Sequence, residues 1–348
     1  MVPVVDLSRR GQRFASTFAK AAEAIAASGR FLLGTELSAF ETEFAQWLGA
    51  GNCVAVSSGA GALQLALDAA GVGPGDEVLV PAFTAVPTAS AVAALGAIPR
   101  PIDVDPETAC ITTESTAAAR TPRTRAVIVV HLYGYPAELP ATDLPIIEDA
   151  AQAHGALHHP WRSAATAYSF YPTKNLGGIG DGGAVVTSSS ALADRVRTLR
   201  VHGMSELYVH DYVSQNFRMS EVEAAWLRLA LPELSEDVER RRTIVSRYRA
   251  AAPGLRWQAG HPDHAYHLAV LRSSDRATTR AALEAVGVAT AIHYPLAITQ
   301  QPAYRDLAHG PCPEAEAWAS ECISVPCFPE LTEDEVECVC SALAGLSV

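Results

Sequence analysis

Long hydrophobic runs are absent from this sequence of 348 residues. No uninterrupted apolar stretch approaches the ~20 residues that a helix needs to span a bilayer. Residues 1–6 also lack the basic region and apolar core that mark a secretory signal. We therefore expect a cytoplasmic protein that has no membrane partner.

The seven cysteines form neither a metal-ligand pattern nor a disulfide framework. Cys338 and Cys340 are separated by one residue, whereas a CxxC clip needs two, and no histidine pattern accompanies them. An odd number of scattered cysteines is typical of free thiols in a reducing compartment. The sequence therefore predicts neither disulfides nor a metal site.

Basic residues are scarce relative to acidic ones, with 26 Lys and Arg against 38 Asp and Glu and a formal net charge of −12. This acidic excess argues against a nucleic-acid partner. Two basic clusters, at residues 239–242 and 247–249, lie at helical spacing. We interpret both clusters as the solvated face of one helix.

Short apolar runs alternate with helix-like stretches in the first part of the chain. The runs that we predict to be buried strands cover residues 54–56, 77–80, 126–130, 145–147 and 184–187. This alternation predicts an α/β fold in which helices cover both faces of a mainly parallel sheet. Because ligands of such folds bind at the carboxyl ends of strands, His131 and Asp149 mark the expected site.

The pattern changes near residue 235, where a long charged helix begins. Shorter helical and apolar segments follow, and a closing helix is predicted over residues 333–346. A chain of this length is long for one small core. We therefore predict a large domain over residues 1–235 and a small α+β domain over residues 236–348.

One lysine and one acid carry the clearest chemical signal. Lys174 lies in the polar and aromatic run 169–177, and Asp149 closes an apolar strand before it. A lysine amine can form a Schiff base with the aldehyde of pyridoxal phosphate. A carboxylate can keep the pyridinium nitrogen protonated, so that the ring accepts electrons. Asp149 could instead cap a helix that begins at residue 150, but its pairing with Lys174 disfavours this alternative.

Small residues between a strand and a helix predict a phosphate-binding turn. Ser58, Gly59 and Ala60 precede an apolar helix, whose N-terminal amides favour an anion. Ser169 is a further candidate donor to the phosphate, although a loop serine also often bonds to its own backbone. Gln152, three residues after Asp149, could donate to the phenolic oxygen of the ring or reach the substrate.

These motifs resemble those of the DegT/DnrJ/StrS group of sugar aminotransferases, which have the fold-type I pyridoxal-phosphate architecture. The resemblance runs nearly from end to end, and its most specific matches are residues 148–155 and 169–177. The matches are numerous and occur in the family's order. The resemblance therefore implies a fold-type I enzyme whose central sheet has seven strands, and pyridoxal 5'-phosphate as its cofactor.

The resemblance also implies roles for single residues. Lys174 would bind the cofactor and move the proton, and Asp149 would contact the ring nitrogen. Gln152 would lie on the phenolate side, while Ser169 and the amides around Gly59 would bind the phosphate. Asn216 matches an asparagine that reaches the phosphate of the neighbouring subunit, which implies a homodimer with shared active sites.

Two departures from the family pattern concern the cofactor. Ala60 replaces the usual threonine, which removes one hydroxyl contact to the phosphate. Ala85, after Thr84, replaces an aromatic residue that stacks on the ring. Loss of that stacking would cost about 0.5–1.5 kcal/mol unless Phe83 or His154 covers the same face.

The predicted function is ping-pong transamination from an amino acid, with L-glutamate as the expected donor, to a ketone of a nucleotide-linked deoxyhexose. The cofactor would alternate with pyridoxamine 5'-phosphate. Segment 177–184 resembles members that act at carbon 3 of dTDP-keto sugars, whereas many carbon-4 enzymes have Glu at the position of Asp181. A cyclitol ketone of an antibiotic pathway is the alternative substrate.

Two other classes are disfavoured by the same residues. Related dehydratases replace the lysine by histidine, and a non-catalytic regulatory member would not need the Asp149 and Lys174 pair. Five residues are candidates for substrate binding, although packing would explain each of them equally well. They are Tyr208, His210, Arg218, His293 and Thr299.

Overall fold

The computed structural model of the protein describes residues 1–156 and 162–346. Its central sheet has seven strands: β1 Asn52–Val56, β2 Glu77–Pro81, β3 Ile98–Ile102, β4 Thr124–Val130, β5 Ile146–Asp149, β6 Ala165–Ser169 and β7 Gly183–Thr187. They lie in the order β1-β7-β6-β5-β4-β2-β3. Only β7 runs against its two neighbours, and the remaining pairs are parallel. The predicted mainly parallel sheet of seven strands is therefore confirmed.

Five of these strands coincide with the predicted apolar runs, whereas the sequence pattern did not predict β3 and β6. Strand β3 contains Pro99 and Pro101, which cannot donate backbone hydrogen bonds. It forms the edge of the sheet, where one side of the strand needs no partner. Strand β6 is rich in small residues and is buried along its whole length.

Helices cover both faces of the sheet, as predicted. In the described part of the chain the helices are α1 Leu7–Ser28, α2 Thr35–Leu48, α3 Gly59–Ala69, α4 Val86–Ala93, α5 Thr113–Ala119, α6 Ser190–Leu199, α7 Glu221–Ala230, α8 Leu234–Ala251, α9 Arg276–Ala285, α10 Pro313–Glu321 and α11 Glu333–Ala344. Helices α3, α4 and α6 contribute to the core on one face. Helices α1, α2 and α7 contribute to the core on the other face.

A smaller antiparallel sheet lies in the C-terminal part of the chain. Its strands are β10 Arg256–Trp257, β11 Ala269–Arg272 and β12 Cys322–Val325, and β8 Met204–Glu206 pairs with β9 Val209–His210 in a separate hairpin. Residues of α8, α9 and α11 pack with this sheet into a third core, which also includes Val2. Val2 forms an isolated bridge with Val288. The predicted domain boundary at residue 235 lies one residue inside α8, which begins at Leu234. The boundary itself stays a prediction.

Helix α8 corrects the interpretation of its basic cluster. Arg240 and Arg242 are partly exposed, as a solvated face requires, but Arg241 is only 2 % exposed. Arg241 lies on the buried stripe with Val238, Ile244 and Val245, which repeats at helical spacing. The prediction of a solvated face is therefore wrong for Arg241.

Three predicted absences concern the described residues. No helix among them is long and apolar enough to cross a bilayer. No group of three or more His, Cys, Asp or Glu side chains in residues 1–156 and 162–346 could hold a metal ion. All seven cysteines lie in this part of the chain and are free thiols in the structure.

Candidate active site

A cavity of about 680 Å³ lies at the carboxyl ends of the central strands. One wall, which we call the sheet-end wall, consists of residues that follow those strands: Ser58, Gly59, Thr84, Asp149, Gln152, Ser169 and Lys174. The other wall, the C-terminal wall, includes Arg241 of α8 and the residues around β11 and β12: His267, Leu268, His293, Tyr294, Val325 and Cys327. The sheet topology thus brings distant segments to one place.

Lys174 reaches this cavity from a loop whose backbone is fixed on both sides. Its N–H donates to the Tyr171 carbonyl at 2.8 Å, and Arg10 Nη1 donates to its carbonyl at 3.1 Å. Next to it, Asn175 Nδ2 donates to the Ala265 carbonyl at 2.9 Å. Desolvation lowers the pKa of the Lys174 ammonium from 10.5 to about 8, although the charge of Asp149 opposes this shift. A substantial fraction of the amine is therefore neutral near physiological pH.

Asp149 ends strand β5 and is buried. Thr88 Oγ1 donates to its Oδ2 at 2.8 Å, and the Ala151 N–H donates to its Oδ1 at 3.1 Å. The Thr84 hydroxyl lies 3.1 Å from that of Thr88, which extends the chain of hydroxyls to the cavity. Burial raises the pKa of the carboxyl, while Thr88, Ala151 and Lys174 act in the opposite direction. Turns and no helix follow over residues 150–156, so Asp149 caps a turn only.

The turn between β1 and α3 has the geometry of an anion site. Ser58 caps α3, and its Oγ accepts from the Gly61 N–H at 3.0 Å. A Cβ on Gly59 would lie 2.6 Å from the Ser169 Cβ, and one on Gly183 would lie 2.3 Å from the Ser58 carbonyl oxygen. Both positions therefore require glycine. The first amides of α3 have no partner within the helix and can receive an anion.

For Ser169 the sequence allowed two interpretations, a donor to the phosphate or a loop serine bonded to its own backbone, and the structure is compatible with both. Its Oγ accepts from the Tyr171 N–H at 3.3 Å, so it does bond to the local backbone. That bond uses the oxygen as an acceptor and leaves the hydroxyl hydrogen to donate into the cavity. A phosphate contact by Ser169 is thus compatible with its turn.

Gln152 has both ends of its amide fixed. Its Oε1 accepts from the Tyr133 N–H at 2.6 Å, and its Nε2 donates to the Tyr294 hydroxyl at 2.9 Å. The second hydrogen of Nε2 remains available at the cavity wall, which Gln152 lines. Burial raises the pKa of the Tyr294 phenol to about 12, so this residue is a neutral hydroxyl.

These residues fit pyridoxal phosphate by their chemistry. The glycine turn and the two serines suit the phosphate, the buried Asp149 suits the ring nitrogen, and the desolvated Lys174 suits the aldehyde. The profile of the DegT/DnrJ/EryC1/StrS aminotransferase family matches residues 12–344. The chain belongs to this family.

Known relatives agree with the family. The chain is 41% identical over 360 residues to the erythromycin biosynthesis sensory transduction protein EryC1 of Saccharopolyspora erythraea, covering 98% of each chain. It is 40% identical over 348 residues to the dTDP-3-amino-3,4,6-trideoxy-alpha-D-glucose transaminase of Streptomyces venezuelae, covering 95% of this chain and 92% of that one.

A solved structure of the family has the same fold. The crystal structure of Streptomyces venezuelae DesV in complex with a ketimine intermediate superposes with a TM-score of 0.94, at 38% identity, and covers 99% of this chain and 98% of that one. The predicted family, fold type I, transaminase activity and pyridoxal-phosphate cofactor are thereby confirmed. The chain is a sugar aminotransferase by its family.

Neither Phe83 nor His154 lies where it could replace the family's aromatic contact to the ring. Ala85 lines the cavity at the start of α4. Phe83 instead stacks on Trp318, with ring centroids 6.0 Å apart. His154 packs against Tyr168 at 5.2 Å between centroids. Neither Phe83 nor His154 lines the cavity, so packing and not ring contact explains both residues.

Most predicted substrate residues lie outside the cavity of their own chain. Of the five, His293 lines it, and its Nδ1 lies 2.8 Å from the Ser324 hydroxyl. Tyr208 is 84 % exposed and lies with the exposed His210 on the β8–β9 hairpin. Thr299 is 8 % exposed and does not line the cavity. The residue before it, Ile298, donates its N–H to the Ala82 carbonyl.

Asn216 and Arg218 also lie outside the cavity of their own chain. Asn216 is exposed, and its Oδ1 accepts from the N–H of Arg218 at 3.3 Å and from Arg218 Nε at 2.9 Å. The roles of both residues stay predictions.

The sequence analysis missed four residues of the site: Thr88, Arg241, His267 and Tyr294. Thr88 lies in the first turn of α4, four residues after the predicted cofactor residue Thr84, and this proximity in the sequence was the signal that could have found it. Arg241 occupies a position where the helical period requires an apolar residue. Tyr294 directly follows the candidate residue His293, and this adjacency was the signal that could have found it. His267 lies far from the motifs in the sequence, and no local pattern points to it.

Proposed function

We propose that this sugar aminotransferase moves an amino group from L-glutamate to the carbon-3 ketone of a dTDP-linked deoxyhexose by a ping-pong mechanism. The observation that carries the proposal is the placement of Lys174 in the same cavity as the buried Asp149. Asp181, the residue that inclined the sequence toward carbon 3, also lines this cavity. The Streptomyces venezuelae relative named as a dTDP-3-amino sugar transaminase supports the same substrate class.

Lys174 would perform the proton transfers. Its amine, with a pKa of about 8, can take the proton from the α-carbon of the amino acid and deliver it to the carbon of the cofactor. In the second half-reaction the same amine would move a proton in the opposite direction. The cofactor supplies an aldehyde that accepts the amino group and a ring that delocalises the resulting negative charge. Because the same amine serves both half-reactions, one lysine is sufficient.

Asp149 would support this chemistry electrostatically. A carboxylate held by Thr88 and the Ala151 N–H is oriented before any ligand arrives. Such a preorganised charge in a water-poor site costs no reorganisation during the reaction. The anion site formed by Ser58, Gly59 and Ser169 would hold the phosphate at the other end of the cofactor.

We also propose that the enzyme is a homodimer whose active sites are shared. The support comes from a group of exposed apolar residues next to Asn216, which we call the hairpin surface: Leu207, Tyr208, Val209, Tyr212 and Val213. Exposed contiguous apolar residues commonly mark a protein interface. A partner on this surface would cover the hairpin and bring Asn216 toward a second cavity.

A substrate panel tests the proposal. Purified enzyme loaded with pyridoxal phosphate is incubated with L-glutamate and, in separate reactions, with dTDP-3-keto sugars, dTDP-4-keto sugars and cyclitol ketones. We expect 2-oxoglutarate to form fastest with a dTDP-3-keto sugar. Turnover only with a cyclitol ketone would contradict the sugar assignment, and turnover only with a 4-keto sugar would contradict the carbon position.

A further inference from the structure

Arg241 is a buried cation on the cavity wall for which the proposed mechanism has no role. It is 2 % exposed and lines the cavity from the buried stripe of α8. Its hydrogen bonds go to the carbonyl oxygens of Cys327, Tyr266 and His267, and all three start from Nη1. Its Nε is buried and has no partner. Neither Nε nor Nη2 donates a hydrogen bond to residues 1–156 or 162–346, so the donors on this edge of the guanidinium are unused.

No carboxylate oxygen lies within 4 Å of the Arg241 guanidinium among residues 1–156 and 162–346. The two nearby acids pair with other cations, since Asp237 lies 3.2 Å from Arg13 and Glu330 lies 3.7 Å from Arg10. Burial lowers the pKa of Arg10, and the positive charge of Arg241 adds to this effect. A buried cation without a counter-charge is costly. An anion bound in the cavity would supply the missing charge.

His267 extends the same site toward Lys174. It is 7 % exposed, lines the cavity, and its Nδ1 is buried without a partner. Burial, and then the positive charges of Lys174 and Arg241, lower the pKa of His267 well below its usual range. A neutral imidazole can donate one N–H to an anion without adding charge. Both groups therefore lie on the C-terminal wall of the cavity that Lys174 also lines.

We propose that the free edge of Arg241, assisted by His267, binds a carboxylate of the amino-acid donor. This inference rests on the proposed function, because it assumes that an amino acid delivers the amino group. The Nε and Nη2 groups form a pair of parallel donors that matches the two oxygens of a carboxylate. Arg241 would be a substrate-binding residue of the first half-reaction.

Distance from the reacting atom favours a carboxylate over the diphosphate of the sugar nucleotide. In an α-amino acid, the carboxylate and the amino group are bonded to the same carbon, so its binding site must lie close to Lys174. In a nucleotide sugar, the anomeric oxygen and two ring carbons separate the diphosphate from the ketone carbon at position 3, so its charge lies farther from the reacting atom than an α-carboxylate does. Asn175, next to Lys174, donates to the Ala265 carbonyl at 2.9 Å, and the carbonyls of the two following residues accept from Arg241, so this cation lies on the Lys174 side of the cavity.

The test compares Arg241→Gln with Arg240→Gln. Arg240 is the matched control because it lies on the same helix, donates to the Leu331 carbonyl at 3.1 Å and lies outside the cavity. Calorimetry with the cofactor-loaded enzyme measures the binding of glutarate, a dicarboxylate without an amino group, and of dTDP. We expect Arg241→Gln to weaken glutarate binding at least about 30-fold and dTDP binding by less than about twofold, an effect typical of removing one bidentate charge pair. Arg240→Gln should leave both unchanged.

Other results would overturn the inference. It fails if Arg241→Gln weakens dTDP and not glutarate, or if it weakens both equally, because a merely structural role in holding three carbonyls would do the latter. Arg241→Lys guards against misfolding of the glutamine variant. It keeps the charge but loses the paired donors, so it should retain the melting temperature and still bind glutarate more weakly. Unchanged glutarate affinity in a folded Arg241→Lys enzyme would overturn the assignment.

The first half-reaction separates this inference from the proposed function. L-glutamate alone should convert the loaded cofactor to its aminated form, which absorbance follows in a stopped-flow instrument. Equal conversion by wild type and Arg241→Gln would overturn the carboxylate site and leave glutamate as the donor. Absence of conversion in the wild type, together with Arg241-dependent glutarate binding, would support the site and reject glutamate as the donor.

Discussion

The two walls of the cavity differ in how the sequence encodes them. The sheet-end wall comes from short segments at the carboxyl ends of strands: Asp149 and Ser169 are the last residues of β5 and β6, and Ser58 lies two residues after β1. The C-terminal wall joins residues of α8 with residues near β11 and β12, which are far apart in the chain. Short local motifs in the sequence therefore predict the sheet-end wall. The C-terminal wall forms only when distant segments of the folded chain come together.

The walls also differ in charge and in their division of labour. Asp149 provides a negative group with its hydrogen bonds satisfied, so this wall is ready for a cationic ring nitrogen. Arg241 provides a positive group with donors unused. This difference supports our proposals that the sheet-end wall binds the cofactor and that the C-terminal wall binds the donor carboxylate.

Lys174→Ala should have the largest effect, because it removes the residue that both walls serve. We expect turnover to fall about 10⁴-fold or more, since proton transfer and covalent attachment are lost together. Both half-reactions should be affected, as absorbance changes with L-glutamate and with keto sugar would show. Lys20→Ala, on the exposed surface of α1, is the control and should behave as wild type. Loss of one half-reaction only would separate roles that we have assigned to one residue.

Asp149→Asn should lower turnover about 10²–10³-fold, the loss typical of one preorganised electrostatic partner. The amide keeps the shape of the side chain but loses the charge opposite the ring nitrogen. In contrast to Arg241→Gln, it should slow the half-reactions with glutamate and with sugar to a similar extent. A selective effect on glutamate would contradict the division between the walls, and single-turnover kinetics would reveal it.

Gly59→Ala should lower the free energy of unfolding by about 1–3 kcal/mol, because the new Cβ on the sheet-end wall would overlap with Ser169. Weaker retention of the cofactor should accompany the loss, as dialysis followed by absorbance would measure. Gly73→Ala is the matched control, since a Cβ there meets no atom within 4 Å. Its effect on the free energy of unfolding should be less than about 1 kcal/mol. Equal destabilisation by both variants would mean that close packing against Ser169 is not the cause.

The smallest predicted effect is a shift in the pH dependence of cofactor loading. Attachment requires the neutral amine of Lys174, so the loading rate of apoprotein should rise with pH through about 8 and then level off. The charge of Asp149 raises the pKa of Lys174, so Asp149→Asn should move the midpoint to lower pH. Loading rates measured by absorbance would show this shift. A midpoint near 10.5, or a shift to higher pH, would contradict the buried environment of the lysine.

The same contrast explains how much of the site could be predicted. Asp149, Ser58 and Lys174 were predicted from the sequence because each lies in a short motif at the end of a strand. The motifs are an acid that closes a strand, a serine turn and a lysine loop. Arg241 was misassigned because its neighbours Arg240 and Arg242 are partly exposed and the cluster resembles a solvated face. The helical period of its apolar neighbours was the signal that could have corrected this.

Other residues were beyond the sequence for physical reasons. Thr88 acts through Asp149, which lies 61 positions away in the chain. Strand β3 forms although two of its five residues are proline, because an edge position needs fewer backbone donors. The role that we propose for Asn216 would depend on a second copy of the chain, which neither its sequence nor its own fold contains.

Borohydride reduction of the loaded enzyme, followed by peptide mass spectrometry, tests the central claim most directly. Lys20 and Lys174 are the two lysines of the chain, so the attachment site has few alternatives. We predict that reduction removes the visible absorbance band and leaves the mass of the reduced cofactor on the peptide that contains Lys174. Recovery of that peptide unmodified, or modification at Lys20 instead, would contradict the account.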